Sequence, residues 1–360
     1  MKVVLDNVIF ELQKSGGISV VWYELLRRLQ QVENLDLYFL DNQSSYNYYR
    51  QELDIDKHRI LSPAVTNRLS RYLAVDIKMD EPFIFHSSYY RYCTNKHAVN
   101  VTTVHDFTYE FFLKGLKQRL HSWQKFRAIR RSDGVACISQ STKSDLLKLL
   151  PDVSRENVSV IYNGVSEEYK PLANPDVASI APFPEKSYVM FIGKRDVWKN
   201  FPLAVQGVAQ TDYHLLIVGS PLTKSEQEVM QRYMPDSRYR CISFVSNEEL
   251  NRLYNGASAL VYPSYYEGFG LPVVEAQRAG CPVIAYGVSS IPEVIGETPL
   301  MMNEQSATEL ADKLLLLKQR SLVSEVCTNG LKNAQRFSWD KMAQEYVALY
   351  QRDFSAFLKA

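Results

Sequence analysis

Cysteine is scarce and scattered in this chain: five residues, at positions 93, 137, 241, 281 and 327, with no CxxC pair. An odd, dispersed set argues against a disulfide framework and a cysteine-built zinc site, and it fits a reducing compartment. No apolar run approaches the roughly 20 residues that a bilayer-spanning helix needs. The opening KVVLDNVIF shows no basic-then-apolar leader pattern. The expected place is the cytoplasm, with at most a peripheral hold on a membrane. An excess of one charge is also missing. Lys and Arg number 41 against 40 Asp and Glu, a net charge of +1, which argues against nucleic acid as a partner. No internal repeat and no low-complexity tract is visible.

What is present is an ordinary globular composition, 46% apolar, in a chain of 360 residues, long enough for about two domains. Short apolar runs alternate with helical patterns. KVVLD (2–6), LDLYFL (35–40), FIFHSS (83–88), VTTVHD (101–106), GVACIS (134–139) and VSVIYNG (158–164) read as strands. Segments 18–30, 116–131 and 139–150 read as helices between them. This alternation predicts an α/β fold with parallel sheets covered on both faces. Residues 166–187 hold four prolines and little periodicity, which makes them the linker candidate. Alternation resumes with YVMFIG (188–193), HLLIVG (214–219), CISFVS (241–246), ALVYPS (259–264), PVIAYG (282–287) and PLMMN (299–303). The expectation is two doubly wound, Rossmann-like domains, 1–165 and 188–339, facing a cleft. A last helix, 339–357, has no strand after it.

Ligands in such sheets bind beyond the carboxyl ends of the strands, and four polar clusters fall there. Gly16-Gly17 precedes the helix 18–30, and can either present amides to a phosphate or acceptor hydroxyl, or form a plain turn. His105-Asp106 ends VTTVHD; the histidine can donate to a sugar hydroxyl, or be a hydrogen-bonded structural side chain. FIGKRDVWKN (191–200) brings Lys194, Arg195 and Lys199 just after a strand, either to meet a departing diphosphate or as a solvated basic loop. The most specific cluster is Glu267-Gly268-Phe269-Gly270-Leu271-Pro272-Val273-Val274-Glu275. Two carboxylates flank a glycine-bearing turn at a helix start, where free amides and the helix dipole favour an anion. The loop suggests a nucleoside diphosphate with a sugar attached.

With SGGIS (15–19), TVHD (103–106), CISQSTKSDL (137–146), VIYNGV (160–165), FIGKRDVWKNF (191–201), residues 246–285 and SSIPEVIG (289–296), the whole chain resembles the retaining glycosyltransferases of family 4. These have the GT-B fold and occur in bacterial polysaccharide and glycolipid assembly. The resemblance implies that Glu267 faces the donor sugar and Glu275 binds ribose hydroxyls. It implies that the amides of Gly268, Phe269, Gly270 and Leu271 lie along sugar and diphosphate. Arg195 and Lys199 would stand over the phosphates, and the final helix, about 340–360, would return to the first domain. Many relatives place arginine where Lys194 stands, so the resemblance leaves open which of Lys194 and Arg195 reaches the phosphate. Gly17 is expected on the donor side, and Gly16, Asp106 and Asn163 on the acceptor side. No cofactor and no metal is expected. The DxD at Asp54-Ile55-Asp56 lies in a charged stretch without a strong strand before it, and reads as solvated.

The expected reaction is metal-independent transfer of a hexosyl unit from a UDP- or GDP-sugar to a hydroxyl of a glycan or lipid-linked acceptor. Arg195, Lys199 and the loop amides would stabilise the leaving group, and His105 and Glu267 would attend the sugar. Residues 114–131 carry seven Lys/Arg and no acid, with Trp123 and Phe126. They read either as a solvated helix with a buried aromatic stripe or as a contact with an anionic membrane. Rival readings are a nucleotide-sugar epimerase, a catalytically silent sugar-binding subunit, and a nicotinamide dehydrogenase. The last lacks its GxGxxG after the first strand.

Overall fold

The computed structural model describes residues 1–41, 45–62, 70–243 and 245–359. The chain divides into two compact units: Met1–Gly164 with Trp339–Ala360, and Val165–Ser338.

Among its described residues the first unit holds seven strands: β1 (Lys2–Asp6), β2 (Asp36–Leu40), β3 (Ile60–Leu61), β4 (Phe83–Ser87), β5 (Ala98–Val104), β6 (Gly134–Cys137) and β7 (Val158–Val160). They form one sheet in the order β3-β2-β1-β4-β5-β6-β7, and every pair is parallel. Every residue of β4 and β5 is buried, as a sheet covered on both faces requires. The helix Gly17–Leu29 turns Val21, Trp22, Leu25, Leu26 and Leu29 inward, one apolar stripe at helical spacing. The edge strand β3 was not legible in sequence, because two residues carry no periodicity.

The final helix, Trp339–Phe357, belongs to this unit. It is held by more than apolar packing. The Tyr346 hydroxyl lies 2.8 Å from Thr103 Oγ1, and the Tyr350 hydroxyl lies 2.6 Å from His86 Nδ1. His86 Nε2 closes the chain at 2.9 Å from the same threonine. Burial, with His105 nearby, pulls the His86 imidazole down to about 3, so it is neutral and can both donate and accept. Gly134 opens the space on β6: a Cβ there would collide with the Asp353 carboxylate.

The second unit holds β8 (Tyr188–Ile192), β9 (His214–Val218), β10 (Tyr239–Ile242), β11 (Ala259–Tyr262), β12 (Val283–Tyr286) and β13 (Met301–Met302). The order is β10-β9-β8-β11-β12-β13, again all parallel. β10 begins two residues before the run read as CISFVS. Residues 166–187, expected as a linker, lie within this unit. Tyr169, Val177, Ala181 and Phe183 are buried, and the amides of Lys170 and Leu172 donate to the side chains of Asn251 and Asn255 at 3.0 and 2.7 Å. In each sheet the strand order reverses beside its first strand, between β1 and β4 and between β8 and β11, and such a reversal opens a crevice at the carboxyl ends.

Candidate functional site

The reversal between β8 and β11 brings two loops together. The amide of Tyr265, after β11, donates to the carbonyl of Trp198, after β8, at 2.7 Å. This bond sets Lys199 opposite Glu267. Lys199 ends a short 3-10 turn, Val197–Lys199, and its ammonium lies 2.6 and 2.7 Å from the two carboxylate oxygens of Glu267. It also donates to the Tyr262 hydroxyl at 3.2 Å and sits 5.3 Å from the centre of that ring. The Glu267 backbone is held from the far side. Its amide donates to Ser289 Oγ at 3.1 Å, and its carbonyl accepts from the hydroxyls of Ser289 and Ser290. Ser290 also donates to the Phe269 carbonyl at 3.0 Å.

Gly270 has φ +97° and begins the helix Leu271–Arg278. A side chain there would be strained in the backbone and would stand 3.1 Å from Ile291. The buried Phe269 packs edge-on against Phe337, with ring centres 5.4 Å apart. Pro272 stands in the first turn, where a missing N–H costs nothing, and no side chain caps the helix start. Its partial positive end therefore favours an anion. Glu275 follows one turn later and accepts from the Tyr254 hydroxyl at 3.1 Å. Burial pushes the Glu275 carboxyl up to about 7, against the opposing pull of that hydrogen bond.

Lys194 and Arg195 part company. Lys194 is exposed. The Arg195 guanidinium is folded back onto the protein. It donates to the carbonyls of Ser220 and Pro221 at 2.8 and 3.0 Å and pairs with Glu226 at 2.9 Å. Glu226 in turn completes a capping box with Thr223 at the head of the helix Lys224–Tyr233. Arg195 thus braces the strand ends rather than touching Lys199 or Glu267.

In the first unit, Gly16 and Gly17 open the helix Gly17–Leu29, again with no side-chain cap. His105 follows β5 and is buried. Burial pulls its imidazole down to about 4, with Asp106 opposing and Lys125 adding. Asp106 Oδ1 accepts from the Thr108 amide at 3.2 Å, and its carbonyl accepts from Lys125 at 2.9 Å. Lys125 is wholly buried and pairs with Glu110 at 2.7 Å. Burial alone would push Glu110 up, but His121 and Lys125 beside it hold it down at about 2. Asn163 is buried, and its Oδ1 has no hydrogen-bond partner among the described residues.

The basic segment forms the helix Leu116–Arg130. Its aromatic stripe is only partly buried: Trp123 is 49% exposed, beside Leu116 at 84% and Leu120 at 44%, while Phe126 is half-buried. Lys125 is consumed by Glu110, and Arg130 pairs with Asp152 at 2.6 Å. Lys114, Lys117 and Arg119 are exposed. The aspartates of the DxD alternate with buried Leu53 and Ile55, and Asp56 caps the short turn Lys57–Arg59. Sequence reasoning missed Tyr254, Tyr262, Ser289, Ser290 and Lys125. Only Tyr262 left a signal, a hydroxyl closing an otherwise apolar run.

Residues 15–169 match the family described as Glycosyltransferase Family 4, and residues 175–337 match Glycosyl transferases group 1. Over 322 residues the chain is 26% identical to the O-antigen chain mannosyltransferase B of Escherichia coli, covering 84% of this chain and 81% of that protein. Among solved structures it is similar to the sucrose-phosphate synthase of Thermosynechococcus elongatus, with 20% identity, TM-score 0.75 and 99% of each chain covered. It is also similar to Anabaena HepE in complex with UDP-glucose, with 15% identity, TM-score 0.71 and 100% of each chain covered. At these identities the structures speak for the fold, and that fold is GT-B. Family matches over both halves, and a relative aligned over most of its length, add the chemistry: the chain belongs to family 4 of the glycosyltransferases and is a glycosyltransferase.

Proposed function

We propose that this enzyme moves a hexosyl unit, most concretely mannose, from a nucleoside diphosphate sugar to a hydroxyl of a polysaccharide or lipid-linked acceptor, with retention and without a metal. The observation that carries the reading is the Lys199–Glu267 pair at 2.6 Å, set beside an uncapped helix start with Glu275 one turn further on. A cation, a helix N-terminus and a carboxylate for ribose hydroxyls are the groups that a sugar nucleotide needs. The name of the E. coli relative supports mannose, and the UDP-glucose bound to HepE supports a nucleoside diphosphate carrier.

In the proposed step the bond from the anomeric carbon to the diphosphate oxygen breaks, and its electron pair leaves with the phosphate. Lys199 and the amides of Gly268 to Leu271 stabilise that charge, with Lys194 as the exposed second cation. The ring gains oxocarbenium character, which the Glu267 carboxylate opposes. The acceptor oxygen bonds to the same face, and its proton passes to the departing phosphate oxygen. His105, neutral above about pH 4, contacts the donor sugar as a hydrogen-bonding imidazole. Gly17 is kept as a donor-side group, and Gly16, Asp106 and Asn163 as acceptor-side groups.

A peripheral hold on an anionic membrane is part of the reading. The exposed face of the helix Leu116–Arg130 combines Leu116, Leu120 and Trp123 with Lys117 and Arg119, the pairing that an interfacial helix uses. Among the described residues no helix is long and apolar enough to cross a bilayer.

A thermal-shift panel of UDP, GDP, ADP and their sugars tests the donor site. A ligand at a hundred times its Kd should stabilise by about 2.7 kcal/mol. No shift with any nucleotide removes the reading. Mannosyl transfer that persists in EDTA, with an axial product, supports retention without metal. A new sugar nucleotide formed from donor alone would favour an epimerase.

A further inference from the structure

Each glutamate of the loop has a buried tyrosine hydroxyl at its carboxylate. Tyr262, the last residue of β11, is buried. Its oxygen accepts from Lys199 at 3.2 Å, and its hydroxyl is hydrogen-bonded to Glu267. Tyr254, in the helix Asn247–Gly256, is wholly buried and donates to Glu275 at 3.1 Å. A buried phenol needs a partner, and a core tyrosine of this unit takes it from the backbone: Tyr188 donates to the Leu253 carbonyl at 2.8 Å. Tyr262 and Tyr254 instead place their hydroxyls on the side chains proposed to hold the donor. Phenylalanine would fill the same space, so packing does not account for the two oxygens.

We infer that Tyr262 and Tyr254 are positioning residues with separate tasks: Tyr262 sets Lys199 and Glu267 for the chemical step, and Tyr254 holds Glu275 for the nucleotide ribose. The inference rests on the donor-site reading above. Burial and the neighbouring Glu267 push the Tyr262 phenol well above its ordinary range, so it keeps its proton and can donate while it accepts from Lys199. When Lys199 turns an N–H toward the departing diphosphate, this hydroxyl keeps the ammonium and the carboxylate in register. Tyr254 acts on the other glutamate. Its hydrogen bond favours the ionised form of Glu275, which burial disfavours. The groups around Glu275 are Tyr254 from its helix and Tyr262 from β11, while Arg278, one turn on, is turned to Glu167 at 3.7 Å. Ribose hydroxyls donate to a carboxylate, so nucleotide affinity should climb as pH rises through about 7.

The test compares Tyr262→Phe and Tyr254→Phe with the wild type. GDP and UDP binding is titrated from pH 5.5 to 8.5 by calorimetry. Turnover is read as nucleotide release from whichever of GDP-mannose and UDP-glucose gives the larger thermal shift. Tyr262→Phe should lower turnover at saturating donor about tenfold, the loss of one hydrogen bond to a charged group, with Kd nearly unchanged. Tyr254→Phe should weaken nucleotide binding about three- to tenfold at pH 7 and move the midpoint of its pH dependence upward, with saturated turnover nearly unchanged. In a Glu275→Gln background, Tyr254→Phe should shift nothing further. Unchanged turnover in folded Tyr262→Phe, or an unmoved midpoint in folded Tyr254→Phe, overturns the corresponding half while the wild-type binding leaves the donor site standing. A wild type that binds neither nucleotide refutes the donor site and this inference with it.

Discussion

In the second unit a lysine after β8 faces a glutamate after β11; in the first unit a lysine of the helix Leu116–Arg130 faces a glutamate of the short helix Thr108–Phe112 before it. The two pairs differ in access. The Lys199 and Glu267 side chains keep 19% and 9% of their exposure, and they sit beside an uncapped helix start. Lys125 keeps none and Glu110 5%, and Lys125 is further tied to the Asp106 carbonyl. A partly exposed pair can trade a hydrogen bond with an incoming anion. A wholly buried pair cannot leave its partner without stranding a charge. On the proposed reading, the same residue types would serve chemistry in one unit, while in the other they tie down the loop after β5.

The largest effect should come from breaking the buried pair. Lys125→Met leaves the Glu110 carboxylate stranded and should cost about 3–5 kcal/mol of stability, read by denaturant unfolding. Nucleotide affinity of the folded fraction should be unchanged. Arg195→Ala probes whether the second unit's other cation braces or reacts. Losing its bonds to Ser220, Pro221 and Glu226 should cost about 1.5–3 kcal/mol, with saturated turnover reduced far less than by loss of Lys199. A large loss of turnover without loss of stability would instead put Arg195 on the phosphates.

Titration separates the units next. His105 and His86 stay neutral in the fold down to about 4 and 3. In the unfolded chain each takes up its proton near pH 6.5. Between those values the unfolded state binds more protons, so stability should fall as pH drops from 6.5 toward 4. Glu275 runs the other way. Its folded value near 7 exceeds the unfolded one, so its contribution to stability declines as pH rises toward 7. Replacing His105 with Gln should flatten the acid limb of a Tm profile, and replacing Glu275 with Gln the neutral one. The smallest change in stability, within about 0.5 kcal/mol, should follow Trp123→Glu on the exposed helix face. The same change should abolish pelleting with anionic vesicles at low salt if that face meets a membrane.

Much of this was legible in the chain. The apolar runs marked twelve of the strands because parallel strands are apolar on both faces, and the GFGLP turn marked its own helix start. β3 escaped because two residues cannot show a period. The proline-bearing 166–187 read as a linker because its contacts, such as Lys170 to Asn251, are to side chains far along the sequence. The site was legible as a set of charges but not as a pairing. Lys194, Arg195 and Lys199 stand in one loop, and only the fold turns Arg195 back to Glu226 and sends Lys199 to Glu267. Tyr254 was hidden because nothing in LNRLYNG separates a hydroxyl on a glutamate from one in the core.

The central claim is that Lys199, set against Glu267, stabilises the leaving diphosphate. Its direct test is the turnover of Lys199→Ala at saturating donor, with folding checked by thermal unfolding. A fall of about 100- to 1,000-fold is predicted, the usual cost of removing one preorganised donor from a developing negative charge. Full turnover in a folded Lys199→Ala would contradict it.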